Sequence, residues 1–418
     1  MSTWHRLHPL SPAVRAGRGL IAIAVIFLPT LVSGGTNSWD VAWHFIAVGA
    51  LVVLGFVSWL VTRWQIDGHD LRIETGLLRR SSLRYPLSQV QAIDTVRPGL
   101  ARVLGLTELR LRMGGPGGAA RLAYLPVVQA NALRARLLAL SQGAHEETPE
   151  PVDHELVRVP PGRVAVSLLL SGPAVVLVVY LAALAAATSA GKHGLVAVTL
   201  PILIADAIAI WRRFNRSFHA TVAEAPEGLR VRSGLVETTA ETIPRGRVQA
   251  VLLIEPFLWR PFGWCRLEVD VAGRVRDRSD AERGKRRLRT LLPVGTLAEA
   301  ARLLALLVPG APESAGRPPR RARWKSPLRY RKLSFGFDER YAVTTGGRLA
   351  RTASWVPLTK VQSLRRVEGP TQRRLRLATV YLDTAGKNFG AAFRDLDQRD
   401  SQTTLASLTE LARAARRA

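Results

Sequence analysis

The chain has little sulfur, few aromatics and few acids. Of 418 residues one is cysteine, two are methionine and 6% are aromatic, and 32 acids stand against 59 lysines and arginines, a formal net charge of +27. A single cysteine, Cys265, excludes an intrachain disulfide and a thiolate-based metal site. Beside Trp264, at the start of an alternating apolar stretch, it reads as a small core hydrophobe. The eight histidines, at 5, 8, 44, 69, 145, 154, 193 and 219, show no His-Glu-x-x-His spacing, and the chain has no Walker A loop or Gly-x-Ser-x-Gly elbow. Gly17-x-Gly19-x-x-Ala22 has the spacing of a dinucleotide fingerprint, but it precedes an apolar run instead of following a strand. Gly114–Gly118 reads as a flexible hairpin turn and not as a phosphate loop. No catalytic residue, metal or cofactor is therefore expected, and the chain reads as a non-enzyme.

What the chain does have is a motif used three times. A glycine is followed ten residues later by a proline and then by a Val-Gln pair: Gly76/Pro86/Val90-Gln91, Gly234/Pro244/Val248-Gln249 and Gly347/Pro357/Val361-Gln362. The register continues through Gly105, Gly263 and Arg376 into Glu108-Leu-Arg-Leu, Arg266-Leu-Glu-Val and Thr379-Val-Tyr-Leu. One fold copied three times is the implication. Short β-branched or alternating segments separated by Gly, Pro or Asp-Gly predict strands, and Val127–Leu140, Leu297–Leu307 and Ser401–Ala414 predict a closing helix in each copy. A short barrel or sandwich capped by that helix follows, because the strands must hide one face. Each motif glycine is expected at a positive-φ turn or bulge, and each proline at a strand start or edge. Gln91, Gln249 and Gln362 are candidates for a shared partner-binding surface; their other reading is a hydrogen bond to a nearby loop.

Four apolar runs, Gly19–Ser33, Val41–Val61, Val164–Ala187 and Leu195–Trp211, predict four transmembrane helices in two hairpins. A cleaved signal peptide is the alternative for the first. Arg6, Arg15, Arg18, Arg63, Arg158, Arg163, Arg212, Arg213 and Arg216 flank one set of ends, whereas the turns Gly34–Asp40 and Thr188–His193 hold Lys192 as their one lysine or arginine. The positive-inside rule then places the repeats and both termini in the cytoplasm, at the inner membrane. Asp206 in the fourth run has two readings, a structural acid or the centre of a transport or enzymatic site. Ser167/Ser171 and Ala182/Ala186 have the spacing of tightly packed helices.

The stretches "YPLSQVQAI…RPGLARVLGLTELRL" and "VPLTKVQSL…GPTQRRLRLATVYLDTAG", with the paired apolar runs ahead of them, resemble the bacterial membrane-flanked proteins with pleckstrin-homology-like (PH-like) domains, the YdbT-like group. The resemblance covers nearly the whole chain. It implies three cytoplasmic PH-like β-barrels, each closed by a C-terminal helix. It also implies a role in envelope stress or antimicrobial-peptide resistance, and partnership with a shorter single-module relative or with itself. Repeat three departs from the pattern: Arg376 replaces the motif glycine, and Asp397 stands where the other repeats have Pro126 and Pro293. The expected divisions are an N-terminal segment and first hairpin (1–63), PH-like domain 1 (64–142), an acidic Pro-containing linker (143–163) and a second hairpin (164–213). PH-like domain 2 (214–309), a basic linker (310–332) and PH-like domain 3 (333–418) follow.

The positive charge concentrates in two clusters, Arg274–Arg289 within repeat two and Arg317–Lys332 in the linker. In the linker Arg317, Arg320, Arg321, Arg323, Lys325, Arg329, Arg331 and Lys332 are candidates for binding anionic lipid of the cytoplasmic leaflet, at about 1 kcal/mol per basic residue near the surface. A solvated spacer is the competing reading. Charge alone would also suit nucleic acid, but no recognised motif accompanies it, so no nucleic-acid partner is expected. The function expected is a scaffold that binds proteins or the membrane surface, with a lipid-headgroup sensor as the alternative.

Overall fold

The computed structural model describes residues 4–6, 8–11, 49–50, 53, 56–57, 59–67, 70–76, 81–113, 119–141, 154–191, 194–226, 228–271, 288–385 and 391–417. Strand β1 (His5–Arg6) precedes repeat one, which runs β2 (Arg63–Asp67), β3 (Asp70–Thr75), β4 (Ser81–Pro86), β5 (Val90–Arg97), α1 (Gly99–Val103), β6 (Leu106–Met113), β7 (Ala119–Pro126) and α2 (Val127–Ser141). Then come β8 (His154–Arg158), α3 (Pro161–Leu169), α4 (Gly172–Ser189) and α5 (Gly194–Ser217). Repeat two is β9 (Thr221–Ala225), β10 (Gly228–Ser233), β11 (Thr238–Ile243), β12 (Val248–Glu255), β13 (Trp264–Val271), β14 (Arg289–Thr296) and α6 (Leu297–Leu307). After α7 (Ala322–Lys325), repeat three is β15 (Ser334–Phe337), β16 (Tyr341–Gly346), β17 (Arg351–Pro357), β18 (Val361–Val367), α8 (Pro370–Arg374), β19 (Leu377–Thr384), β20 (Ala391–Asp397) and α9 (Gln398–Arg417).

The repeated motif is a backbone device. Gly76, Gly234 and Gly347 all have positive φ, at 105°, 123° and 113°, between the second and third strands of their repeats, where a side chain is strained. At Gly347 a Cβ would also meet the Ala350 carbonyl oxygen at 1.8 Å. Pro86, Pro244 and Pro357 each stand in extended conformation immediately before one turn of 3-10 helix, which Val90, Val248 and Val361 close. The register of the following strand then slips at the motif glutamine, between Val90 and Ala92, Val248 and Ala250, and Val361 and Ser363. The glutamine is thus the extra residue of a β-bulge, which bends the fourth strand away from the third.

The chain forms two compact units: Met1–Val152 with Val236–Thr242, and Asp153–Leu235 with Ile243–Ala418. In the first, β1–β2–β3–β4 form one antiparallel sheet. The order β7–β6–β5 continues into β11, with Thr238 opposite Arg97, Thr239 opposite Val96 and Ala240 opposite Thr95. The buried Asp94 carboxylate accepts the Thr242 N–H at 3.1 Å and fixes that register. Leu71, Ile93, Leu109, Leu111 and Leu122 form the core, closed by Ala130, Leu133 and Leu137 of α2 at helical spacing.

In the second unit β8 lies beside β9 and β9 beside β10. A six-stranded sheet has the order β14–β13–β12–β17–β16–β15, and β18–β19–β20 form a separate sheet. Helix α6 starts with a capping box between Thr296 and Glu299. Arg163 of α3 bonds Glu299 at 2.8 Å, and the Trp259 indole donates to the Ser167 carbonyl at 3.0 Å. These contacts, with Val164 and Leu168 in the core, dock α3 on repeat two.

Four transmembrane helices and closed barrels are both overturned. Among the described residues one helix, α4, is long and apolar enough to cross a membrane. The run Val164–Ala187 divides at Leu170–Ser171, where Gly172-Pro173 starts a new helix because proline disfavours helical backbone before it. Its first part, α3, belongs to the repeat-two core. The run Leu195–Trp211 lies within α5, which carries Asp206 and ends in arginines, and part of its side chains lie outside the described residues. Gly19–Ser33 lies outside the described residues, and Val41–Val61 is described only at 49–50, 53, 56–57 and 59–61. The sheets stay open because the third strands β11 and β17 pair with the fourth strand of the preceding repeat, β5 and β12, instead of closing on their own.

Arg376 takes the place of the repeated glycine and adopts its left-handed backbone, φ 52° beside 66° at Gly105 and 62° at Gly263. Each of the three carbonyls accepts the first N–H of the closing helix, from Val127, Leu297 and Gln398. Arg376→Gly should therefore raise stability by about 0.5–1 kcal/mol, the left-handed strain less the entropy of glycine. Gly347→Ala should lower it by about 1–3 kcal/mol. Thermal and urea unfolding of the two variants checks both signs. Cys265 is buried, and burial first, then the charges of Glu255 and Glu299, pushes its thiol up to about 12. It should resist alkylation at pH 8 in the native protein and react on denaturation; mass spectrometry reads the difference.

Candidate membrane-facing basic surface

The basic linker is a built element. Pro319 accepts the Ala322 N–H at 2.9 Å to start α7, a 3-10 turn spans Tyr330–Lys332, and Gly316 bridges Phe335. Ala322 and Leu333 are buried beneath it. Two of the eight candidate cations are spent in holding it down. Lys325 and the Ser326 hydroxyl both bond the carboxylate of Asp395, the hydroxyl at 3.1 Å. Asp395 is buried and left-handed, and it also accepts from Gln372 at 2.8 Å. Arg321 bonds Asp397 and the Arg376 carbonyl. Asp397 thus anchors the linker to repeat three; it stands directly before the closing helix, where repeat one has Pro126 and repeat two has Thr296, not the expected Pro293.

Of the remaining six, four stay outward. Arg317, Arg320, Arg323 and Arg331 are exposed, while Arg329 and Lys332 are half-buried. Lys332 bonds the Arg348 carbonyl, in the turn between β16 and β17. Burial first, then the positive charges of Arg348 and Arg394, holds the Arg329 guanidinium below the usual arginine range, with Asp395 opposing. Arg329, Lys332, Arg348 and Arg394 therefore form one positive field that favours an anion. Within the basic segment Trp324 is 76% exposed and Leu328 77%, and Leu349 on the Arg348 turn is 79% exposed. The Arg323 guanidinium lies 5.9 Å from the centroid of the Trp324 ring. Exposed aromatic and aliphatic side chains among arginines suit the headgroup layer of a bilayer, where rings bury their apolar part and cations meet phosphate.

Of the three glutamines, Gln249 and Gln362 are not exposed alike. Gln362 is exposed, Gln249 is buried and donates to the Arg247 carbonyl at 3.4 Å, and the Gln91 side chain lies outside the described residues. Most of the Arg274–Arg289 insertion lies outside them too. Asp206 is half-buried on α5, and its Oδ2 has no hydrogen-bond partner among the described residues. Among those residues no group of three or more His, Cys, Asp or Glu is placed to hold a metal ion. Sequence reasoning missed Trp324, Leu328, Arg348, Leu349 and Arg394. The first two carried a signal, an aromatic and an aliphatic interrupting a basic run, whereas Arg348 and Arg394 meet it only through the fold.

Comparison with known families finds three matches to one family, described as bacterial PH domain, over residues 20–141, 173–292 and 290–410. The curated proteins and the solved structures yield no match. The chain is thus built of three PH-like domains, and the first two matched segments include the apolar stretches that precede their strands.

The linker clamp generates an asymmetric prediction. Lys325→Ala strands the buried Asp395 without its cation and should cost about 3 kcal/mol, whereas Arg320→Gln, at an exposed position, should change stability by less than about 0.5 kcal/mol. Urea unfolding of the two variants measures the contrast.

Proposed function

We propose, on the premise that this chain belongs to the bacterial PH domain family, that it is a non-enzymatic scaffold whose third module rests on an anionic membrane surface through the linker. The observation that carries this is the exposure of Trp324 and Leu328 beside Arg320, Arg323 and Arg331. Exposed apolar side chains cost free energy in water and regain it in the headgroup layer, and the surrounding cations add attraction to anionic lipid. The PH family is one of binding modules, which fits a scaffold. Convergence of Arg329, Lys332, Arg348 and Arg394 favours a second form of the same activity, recognition of an anionic headgroup.

Helix α4 supplies the membrane attachment. It is apolar on all sides, and Val175, Val176, Val178, Val179 and Leu181 are exposed along it, a composition that suits lipid and not water. Arg158 and Arg163 before α4, and Arg212, Arg213 and Arg216 at the end of α5, put both ends of this helix pair on the cytoplasmic side by the positive-inside rule, so that α5 returns the chain to the side from which α4 departs, with an inner-membrane location. Within the family we assign the chain to the YdbT-like group, with a role in envelope stress or antimicrobial-peptide resistance and a shorter PH-like relative as a protein partner.

A fluorophore sensitive to polarity, placed by Leu328→Cys in the full-length chain, tests the surface. In nanodiscs with anionic lipid its emission should shift to the blue, and the shift should fade as salt rises. It should also be lost in the combined Arg320→Gln, Arg323→Gln and Arg331→Gln variant. Equal emission in neutral and anionic discs would leave the linker as a spacer.

A further inference from the structure

Two strands break the pairing rule that the rest of the chain follows. The third strand of repeat two pairs with the fourth strand of repeat one, and the third strand of repeat three with the fourth of repeat two. These pairings share one register when the repeats are aligned on their motifs. Thr238–Arg97, Thr239–Val96 and Ala240–Thr95 correspond in order to Arg351–Glu255, Thr352–Ile254 and Ala353–Leu253. The rule leaves two strands over. β4, the third strand of repeat one, ends its sheet, and β18, the fourth strand of repeat three, ends another. Among the described residues neither has a partner on its outer side.

We propose that β18 of one chain pairs with β4 of a second copy, antiparallel and in the register already used twice within the chain. That register sets Ser81 opposite Val367, Ser82 opposite Arg366, Leu83 opposite Arg365 and Arg84 opposite Leu364. A second copy is the occupant because the chain already builds this joint from its own repeats, and each free edge is the counterpart of the other. Exposure follows the pairing. Val248–Leu253 of β12 are all buried, whereas the matching stretch of β18 is exposed at Gln362, Ser363 and Arg365, and Ser81–Arg84 of β4 are exposed. Leu83 is 49% exposed and Val367 41%. They would become diagonal neighbours on one face, a placement that buries apolar surface. The two arginines of β18 are already neutralised: Arg365 bonds Asp383 at 3.0 Å, and Arg366 bonds Glu368 and the Ser401 hydroxyl. Arg84, the one charged residue of β4, would meet no bare cation on them.

An unpaired edge strand is a template for further pairing. Because the two edges differ, the contact is heterologous, and repeated addition closes into a ring or grows as a filament. Assembly by these edges is independent of the lipid surface proposed above. A family of modules joined within a chain would then continue the same joint between chains.

The test uses two full-length variants in mild detergent, one with Ser81→Cys and one with Val367→Cys; both positions are exposed and the native Cys265 is buried. Mixed and treated with a short thiol crosslinker, they should give a dimer containing one chain of each kind. Replacing Ser81→Cys by Arg84→Cys, three residues out of register, should lower the yield at least tenfold. Light scattering should show mass rising with concentration for the parent chain and suppressed by Leu83→Lys, whose fold is checked by its unfolding midpoint. A monomer at all concentrations, crosslinks only between like variants, equal yield out of register, or crosslinking only within a chain carrying both cysteines would each overturn the proposal. So would edges that fill only when a different protein is added. Assembly that persists in neutral lipid, where the Leu328 probe stays unshifted, would uphold the strand joint while removing the lipid surface.

Discussion

Backbone hydrogen bonding at the third strand of each repeat governs how these modules are built. A strand at a sheet edge leaves a row of amides and carbonyls that must find water or another strand. In β11 and β17 they find the fourth strand of the repeat before, in one register. That choice keeps the sheets open, because a strand engaged in this way cannot also close on its own repeat. It also buries β12 almost completely, where the matching β18 stays exposed.

The motif supplies the local geometry for that choice. A positive-φ glycine turns the chain into the third strand, the proline and its 3-10 turn end that strand, and the bulge at the glutamine redirects the fourth. A third and a fourth strand that follow each other directly in sequence are thereby separated in space. Repeat three keeps the device even where residues change: Arg376 accepts the left-handed backbone and its carbonyl still receives the first N–H of the closing helix.

Charge in this protein divides into two uses. Arg163, Arg321 and Lys325 are paired with Glu299, Asp397 and Asp395, and they fix a helix or the linker to a domain. Burial alone would penalise the Glu299 carboxylate, yet the Thr296 and Arg163 hydrogen bonds outweigh it and hold its pKa below the ordinary value. The stability from that pair is present at neutral pH and is lost as pH falls through the depressed value. Exposed arginines around Trp324 form the other class, available to a partner because among the described residues no acid pairs with them.

The sequence alone determined the threefold repeat, the turn glycines, the closing helices and the core place of Cys265, because each rests on local backbone needs or on short-range periodicity. It also marked the linker as a charged surface. Tertiary structure alone decided which cations remain there, since Asp395 and Asp397 lie some seventy residues away from Lys325 and Arg321 along the chain. It decided that Val164–Leu169 joins a β core and not a bilayer: apolarity says that a segment avoids water, and only packing says what replaces the water. Strand partners were beyond the sequence for the same reason. A strand's own residues record its two faces through their alternation, while its edges are backbone, identical in every residue but proline, and carry no record of what they pair with.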